Sequence, residues 1–321
     1  MNGSAPIYDL AIAWTWRYDD DFVRLILEAS RHLSLSVLCI DSATLPETID
    51  LVRKHKILIR VFLDRASDED DSFVPLARLI QKQYRDESIQ PSVRPVNPLD
   101  LVGRAADKAT MHLEFLANGI NVPFSIIISP YNHKREVELS LSDLAKLGRP
   151  FIIKPANTTG GGVGVVKGAE TLRDVIDARR HHRNDKYLIQ ETLKPAYLGD
   201  FRAWFRVFYA FGRIIPCWWD DQTHTYEVIV PEDEQVFGLG GLRLITSKIQ
   251  QICKLDFFST ELVFTRDQKY VAVDYVNEMC DMRLQSVHRD GVPDTIVGEI
   301  VDSLVTFVKE CSQNAKTGRG Y

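Results

Sequence analysis

Residues 151–166 read FIIKPANTTGGGVGVV, an apolar run that carries one lysine into a cluster of glycines before a second apolar pair. Phe151, Ile152 and Ile153 favour a pleated strand. Lys154 sets a cation at its end, and Gly160, Gly161, Gly162 and Gly164 free the backbone for close approach and unusual φ/ψ. The expectation is strand, loop, strand. Backbone N–H groups in such a loop can converge on anionic oxygens while the lysine adds a point charge, so a polyphosphate suits it. A plain hairpin with a mobile turn and a surface lysine is written in the same letters, and the rest of the chain decides between the two.

The chain has 321 residues, 45% hydrophobic and 26% charged, an ordinary globular composition long enough for two or three lobes. Its formal charge of -5 gives no global basic field, so nucleic acid is not an expected partner and any anion site must be local. Cys39, Cys217, Cys253, Cys280 and Cys311 are scattered without a CxxC pair, which favours reduced thiols over a disulfide framework or a zinc site. No apolar run approaches the roughly 18 residues of a membrane span, and the first residues lack a signal-type pattern. The expectation is a cytoplasmic protein with no membrane partner.

Tyr8–Trp14, Leu35–Ile40 and Ile57–Leu63 read as strands, with helical spacing over Asp20–His32 and Pro46–Lys54 between them. That alternation predicts a parallel sheet in the first hundred residues. It lacks GxGxxG, so a dinucleotide site has no support. Trp14, Trp16, Arg17 and Tyr18 fall where the first strand ends, the edge at which open α/β sheets bind ligands, although core packing accounts for the aromatics as well. Asp68–Asp71 reads as a solvated loop, and Pro91, Pro95 and Pro98 as a linker. Beyond it come a helix over Leu101–Asn118 that carries Lys108, a strand at Ser125–Ser129 and a short helix at Asp143–Leu147.

Downstream of the glycine stretch, Thr171–His182 reads as a helix, Tyr187–Leu193 as a strand, Asp200–Phe211 as a β-rich run and Ile214–Trp219 as another strand. Leu242–Leu255 is helical. Thr260–Thr265 and Tyr270–Val276 form a hairpin that sets Glu261 and Asp274 on adjacent strands. Pro293–Glu310 makes a last amphipathic helix, and Ala315–Tyr321 a disordered tail.

In this order the elements resemble the ATP-grasp superfamily, which includes D-alanine:D-alanine ligase and glutathione synthetase, from about Leu101 to Glu310. Lys108, in ADKATMHLEFLANGINVP, resembles the family's first nucleotide-contacting lysine. Lys154, Pro155 and the loop Thr158–Gly164 resemble the second lysine and the phosphate-covering loop, which makes Thr159, Gly160, Gly161 and Gly162 nucleotide contacts. Ile189–Leu193 resembles the hinge beside the adenine, with Gln190, Glu191 and Leu193 as its candidates. Glu261, Asp274 and Asn277 resemble the metal-binding end. The implied architecture is a multi-lobe α/β and α+β protein: a parallel α/β domain (1–98), a first lobe with the glycine loop (99–190), a second lobe with metal and substrate residues (191–312) and a tail (313–321), with ATP between the lobes.

The residue types support that chemistry without the name. ATP needs cations and N–H donors at its phosphates, and Mg²⁺, or Mn²⁺ in its place, needs carboxylate and amide oxygens while it bridges phosphates. The family usually has a carboxylate two positions before the asparagine, on the same strand face. Here Tyr275 stands there and Asp274 lies three before Asn277, so either a β-bulge intervenes or Glu278 or Asp281 replaces a ligand. The prolines usual after the asparagine are replaced by NEMCDMR.

On the substrate side, Arg202 in GDFRAWFRVF and Arg283 in CDMRLQS are candidates to hold a phosphoryl group or a carboxylate, whereas Arg206 reads equally as a salt bridge across the sheet. Trp218 and Trp219 must face opposite sides of a strand, which leaves one for the cleft. His224 and His288 have no spaced partner and read as structural. The implied activity joins a small-molecule carboxylate to an amine or other nucleophile through an acyl phosphate, with a homodimer admitted. A kinase acting on a hydroxyl and an inactive nucleotide-binding relative are the alternatives.

Overall fold

A computed structural model describes residues 5–86, 88, 93–157 and 162–317, the last three of these in backbone only. Strand β1 (Ile7–Trp14), helix α1 (Asp20–His32), β2 (Val37–Ile40), α2 (Leu45–Arg53), β3 (Leu58–Arg65), α3 (Val74–Tyr84) and β4 (Arg94–Val96) form the first layer. Its sheet runs β2-β1-β3-β4, parallel throughout. Leu10 to Ala13 are fully buried, the continuous apolar run that a sheet covered on both faces requires.

Two expectations change here. The proline stretch does not only link: Arg94–Val96 adds the fourth strand, and because β4 is an edge, Pro95 is tolerated although it cannot donate to a ladder. Pro91 lies outside the described residues. Helix α3 was not expected beside the acidic run, yet Leu76, Ala77 and Ile80 have helical spacing and are buried, with proline in the first turn where its missing N–H costs nothing.

The expected single helix over Leu101–Asn118 is two, α4 (Leu99–Ala106) and α5 (Lys108–Ala117). Asp107 breaks them: its backbone is extended (φ -72°, ψ 96°), and its carboxylate accepts from Ala109 N and Thr110 N, capping α5. β5 (Ser125–Ile128), α6 (Leu141–Leu147), β6 (Phe151–Pro155), β7 (Val166–Ala169), α7 (Leu172–Ala178) and β8 (Tyr187–Glu191) follow. They build an antiparallel sheet of order β5-β8-β6-β7. Helix α7 begins with the capping box Thr171/Asp174 and stops at Ala178, short of the expected His182.

The last lobe holds β9 (Tyr197–Leu198), β10 (Phe201–Arg202), β11 (Trp204–Ala210), β12 (Arg213–Trp219), β13 (Tyr226–Val228), α8 (Pro231–Phe237), α9 (Gly240–Cys253), β14 (Phe257–Phe264) and β15 (Tyr270–Asn277). The expected run Asp200–Phe211 is divided between β10 and β11, and α8 was not foreseen. The larger sheet is antiparallel, β13-β12-β11-β14-β15. Helix α10 (Asp294–Thr317) returns to the first layer, and Ile296, Val297, Ile300, Leu304 and Val308 share one core with Leu10, Ile12 and Phe208. It extends past the expected Glu310, so the tail expected from Ala315 begins helical, and 318–321 lie outside the described residues. No helix among the described residues is long and apolar enough to cross a membrane.

Polar clamps fix the first layer to the last lobe. The buried Arg65 guanidinium pairs with Asp19 at 2.7 Å and donates to Cys280 O at 2.9 Å. Arg94 pairs with Asp256, and Asn97 donates to Phe257 O at 2.7 Å.

Candidate active site

Between the β5-β8-β6-β7 sheet and the larger sheet lies a cleft of about 1080 Å³. Lys154 lies on β6, the strand it was expected to end. Lys108 opens α5, and its backbone N–H donates to Ala156 O at 2.9 Å, so the start of the helix is fastened to the chain leaving β6. Lys154 Nζ reaches Val273 O on β15, 3.3 Å away across the cleft. Burial drives the Lys154 pKa below the ordinary lysine range; Asp274 and Glu261 oppose this, and Lys108 and Lys167 add to it.

Of the segment between β6 and β7, Gly162, Val163 and Val165 line this end of the cleft. Its root is held by Asn157, whose backbone N–H and side-chain amide both donate to Asp185. Gly164 has φ +76°, a conformation that strains a side chain, and a Cβ there would meet the His182 ring at 2.9 Å and push it aside. Gly162 lines the cleft, whereas Thr159, Gly160 and Gly161 lie outside the described residues.

The opposite wall is the hairpin β14–β15. Glu261 and Asp274 are register partners, as expected, and the ladder slips on both sides of that pair, each slip adding one residue to β15. The bulges turn Tyr275 into the core, where it is 1% exposed, and leave Asp274 on the cleft. Burial raises the Asp274 pKa, but Lys108, Lys154 and Arg206 outweigh it and hold the carboxylate below its usual range. Asn277 is half-buried and is not among the described residues that line the cleft.

Glu261 is already engaged. Arg206 pairs with it, and Trp204 Nε1 donates to it at 3.1 Å. The salt-bridge reading of Arg206 therefore holds, and the same side chain lines the cleft over Trp219, 4.8 Å from the ring centre. Arg202 lines the cleft and pairs with Asp221 at 2.8 Å; its Nε and that of Arg206 are buried without partners. Arg283 is gripped by Asp281 (2.7 Å) and Asp290 (2.9 Å), which raise its pKa against burial. Asp281 is thus an arginine partner, while Glu278 has an unpartnered Oε2 and a pKa pushed up by burial.

Trp204, Val263 and Val273 form a small buried apolar group with Leu193 and Trp219 against it, and of these all but Val263 line the cleft. Glu191 lines the cleft, but its Oε1 accepts from Phe124 N at 2.7 Å and so ties the hinge to the approach to β5. Gln190 lines the cleft while only 1% exposed. Of the two tryptophans, Trp218 is buried and stacked on Phe201, and Trp219 faces the cleft, stacked on His224. His288 packs edge-on against Tyr18, which lines with Trp16 and Arg17 a second hollow of about 500 Å³ beyond β1. The sequence reading missed Lys167, Lys194 and Arg266, cleft-lining cations whose only signal is proximity to strand ends.

Among the described residues no three His, Cys, Asp or Glu side chains stand close enough to hold a metal alone. That donor set still fits Mg²⁺, which takes one or two protein carboxylates and completes its shell with phosphates and water.

No protein-family model and no curated protein sequence matches the chain. Solved structures do. A RimK-domain ATP-grasp protein from Sphaerobacter thermophilus shares 18% identity at a TM-score of 0.60, covering 94% of this chain and 99% of that one. The ATP-grasp ligase PsnB, complexed with a minimal precursor, Mg and ADP, gives 16%, 0.59, 94% and 98%. D-alanine–D-alanine ligase from Bacillus anthracis, complexed with ATP, gives 16%, 0.62, 99% and 100%. At these identities the likeness shows the fold, and the chain has the ATP-grasp fold.

Proposed function

We propose that this chain with the ATP-grasp fold is an ATP- and Mg²⁺-dependent ligase that joins a carboxylate substrate to an amine or other nucleophile. The observation that carries the reading is the facing pair Lys154 and Asp274: a desolvated ammonium and an ionised carboxylate on opposite walls of one cleft, with Lys108 beside both. In a chain of net charge -5, Lys108, Lys154, Lys167 and Lys194 line this one cleft and make no ion pair among the described residues. The solved structures of this fold that hold ATP, or ADP with Mg, support a nucleotide there.

In this reading Lys108, Lys154 and the glycine loop hold the phosphates, and the base lies on Leu193 and Val273. Asp274 would hold Mg²⁺ shared with the phosphates, with Glu261 beside it, and the ion would offset charge on the transferring group. Arg202 and Arg206 each keep an Nε for an anionic oxygen, the substrate carboxylate or the phosphoryl group it attacks. The loop covers the acyl phosphate from water.

The test is turnover of ATP with panels of acids and amines. Phosphate release that requires both an acid and an amine supports the ligase. A phosphorylated acceptor would point to a kinase, and nucleotide binding without turnover on any pair to a binding module.

A further inference from the structure

Two loops of the first lobe carry a charge that the chemistry above does not use. Residues 131–136, after β5, and 179–186, between α7 and β8, hold six lysines and arginines and three histidines against two carboxylates, in a chain of formal charge -5. None of them is among the described residues that line the cleft. The two loops form one surface. Arg179 is buried and donates to Ser129 O at 2.7 Å and Pro130 O at 3.1 Å, and Asn132 N donates to Arg183 O at 3.0 Å. The Arg183 guanidinium lies 5.6 Å from the centre of the Tyr131 ring.

The carboxylates that could neutralise this surface are mostly spent elsewhere. Asp185 is buried and accepts from Asn157, and Asp177 at the end of α7 is shared by Arg173 and Arg180. Lys186 is taken by Asp107. What remains is Lys134, Arg135 and Arg183, all exposed and without an ion pair among the described residues, although Glu136 follows Arg135 directly. Exposed arginines elsewhere behave otherwise: Arg24, Arg85, Arg104 and Arg243 each hold a carboxylate. Like charges left side by side repel, and a ligand of opposite charge relieves the repulsion.

We propose that this surface docks an acidic segment of a partner polypeptide. Guanidinium groups fork onto carboxylates, and loops already fastened to each other lose little freedom when a ligand binds. A long nucleic acid or an anionic bilayer fits less well. Either would extend past the patch, over a chain whose formal charge is negative in spite of these six cations. Tyr131 also carries Arg183 where a nucleobase would stack. The inference stands apart from the nucleotide reading of the cleft.

The experiment is fluorescence anisotropy of a labelled octaglutamate peptide titrated with the full chain at about 50 and 200 mM salt. Binding is expected at the lower salt and should weaken about fivefold or more at the higher. Arg135→Glu combined with Arg183→Glu should weaken low-salt binding about 10-fold or more. The same change of charge in Arg53→Glu with Lys56→Glu, exposed positions at the end of α2, should cost less than about threefold. Melting curves check folding, and should the first pair not fold, the exposed Arg135→Glu alone carries the test with a loss of about threefold. No binding at low salt, or a loss no greater than that of the α2 pair, would overturn the proposal. Tighter binding of a uridine octanucleotide or of anionic phospholipid vesicles than of the peptide would overturn the choice of partner.

Discussion

The two walls of the cleft carry their positive charge in opposite ways. On the side of β6, β7 and α5 the cations are lysines, and Lys108, Lys154 and Lys167 make no ion pair among the described residues. On the side of the larger sheet they are mostly arginines already spoken for: Arg202 by Asp221, Arg206 by Glu261, Arg283 by Asp281 and Asp290. The difference follows from the side chains. A guanidinium forks to a carboxylate and still keeps N–H groups for a second anion, so a paired arginine is a rigid donor. An unpaired, desolvated ammonium is a charge awaiting its partner. One wall is preorganised, and in the proposed function the other would be completed by the nucleotide.

Breaking the paired wall should cost stability before anything else. Arg206→Ala strands the Glu261 carboxylate, whose side chain is only 15% exposed, and is expected to lower stability by about 3–5 kcal/mol in chemical denaturation. Adding Glu261→Gln should recover much of that loss. A drop below 1 kcal/mol would mean that the pair is not the buried unit described.

Breaking the unpaired wall should do the reverse. Lys154→Ala removes a cation that burial disfavours, so melting should hold or rise while ADP affinity falls about 100-fold by calorimetry. Its pH dependence has a defined sign. The folded pKa lies below the unfolded one, so the unfolded chain binds more protons between the two, and stability rises as pH climbs through that alkaline window. Nucleotide affinity should fall over the same window as the ammonium is lost. Lys154→Arg, charged throughout, should remove most of that dependence.

Smaller effects grade the contrast. In Gly291→Ala the new Cβ would meet Arg283 O at 2.6 Å, against backbone that cannot easily yield. About 1–3 kcal/mol of stability should be lost as the turn holding Asp290 against Arg283 is displaced. Arg266→Ala, at the rim between β14 and β15, should weaken ADP only two- to threefold, in a salt-dependent way that titrations at two ionic strengths would read.

The fold was largely legible because its signals are local. The apolar run of β1, the glycine stretch and the hairpin of Glu261 and Asp274 each announce themselves within one or two neighbouring elements, and the order of elements did the rest. The misses have physical reasons. Asp107 reads as one more polar helix residue until its carboxylate is seen capping the next helix. Pro95 reads as a linker because an edge strand tolerates what a central strand does not. Within the site, a misplaced spacing left a single bulge between Asp274 and Asn277 as one of two alternatives; the second slip, on the other side of Asp274, and the turning of Tyr275 onto His112 and Gln190 depend on residues more than eighty positions apart. The pairing of Arg283 with Asp290 likewise depends on a turn whose closure no periodicity records.

The most direct measurement is a crystal structure of the full chain with a non-hydrolysable ATP analogue and Mg²⁺. The account predicts the triphosphate between the walls, Lys154 Nζ moved from Val273 O to a phosphate oxygen, and the metal on Asp274. A nucleotide bound elsewhere, or Lys154 still turned away from it, would contradict the account.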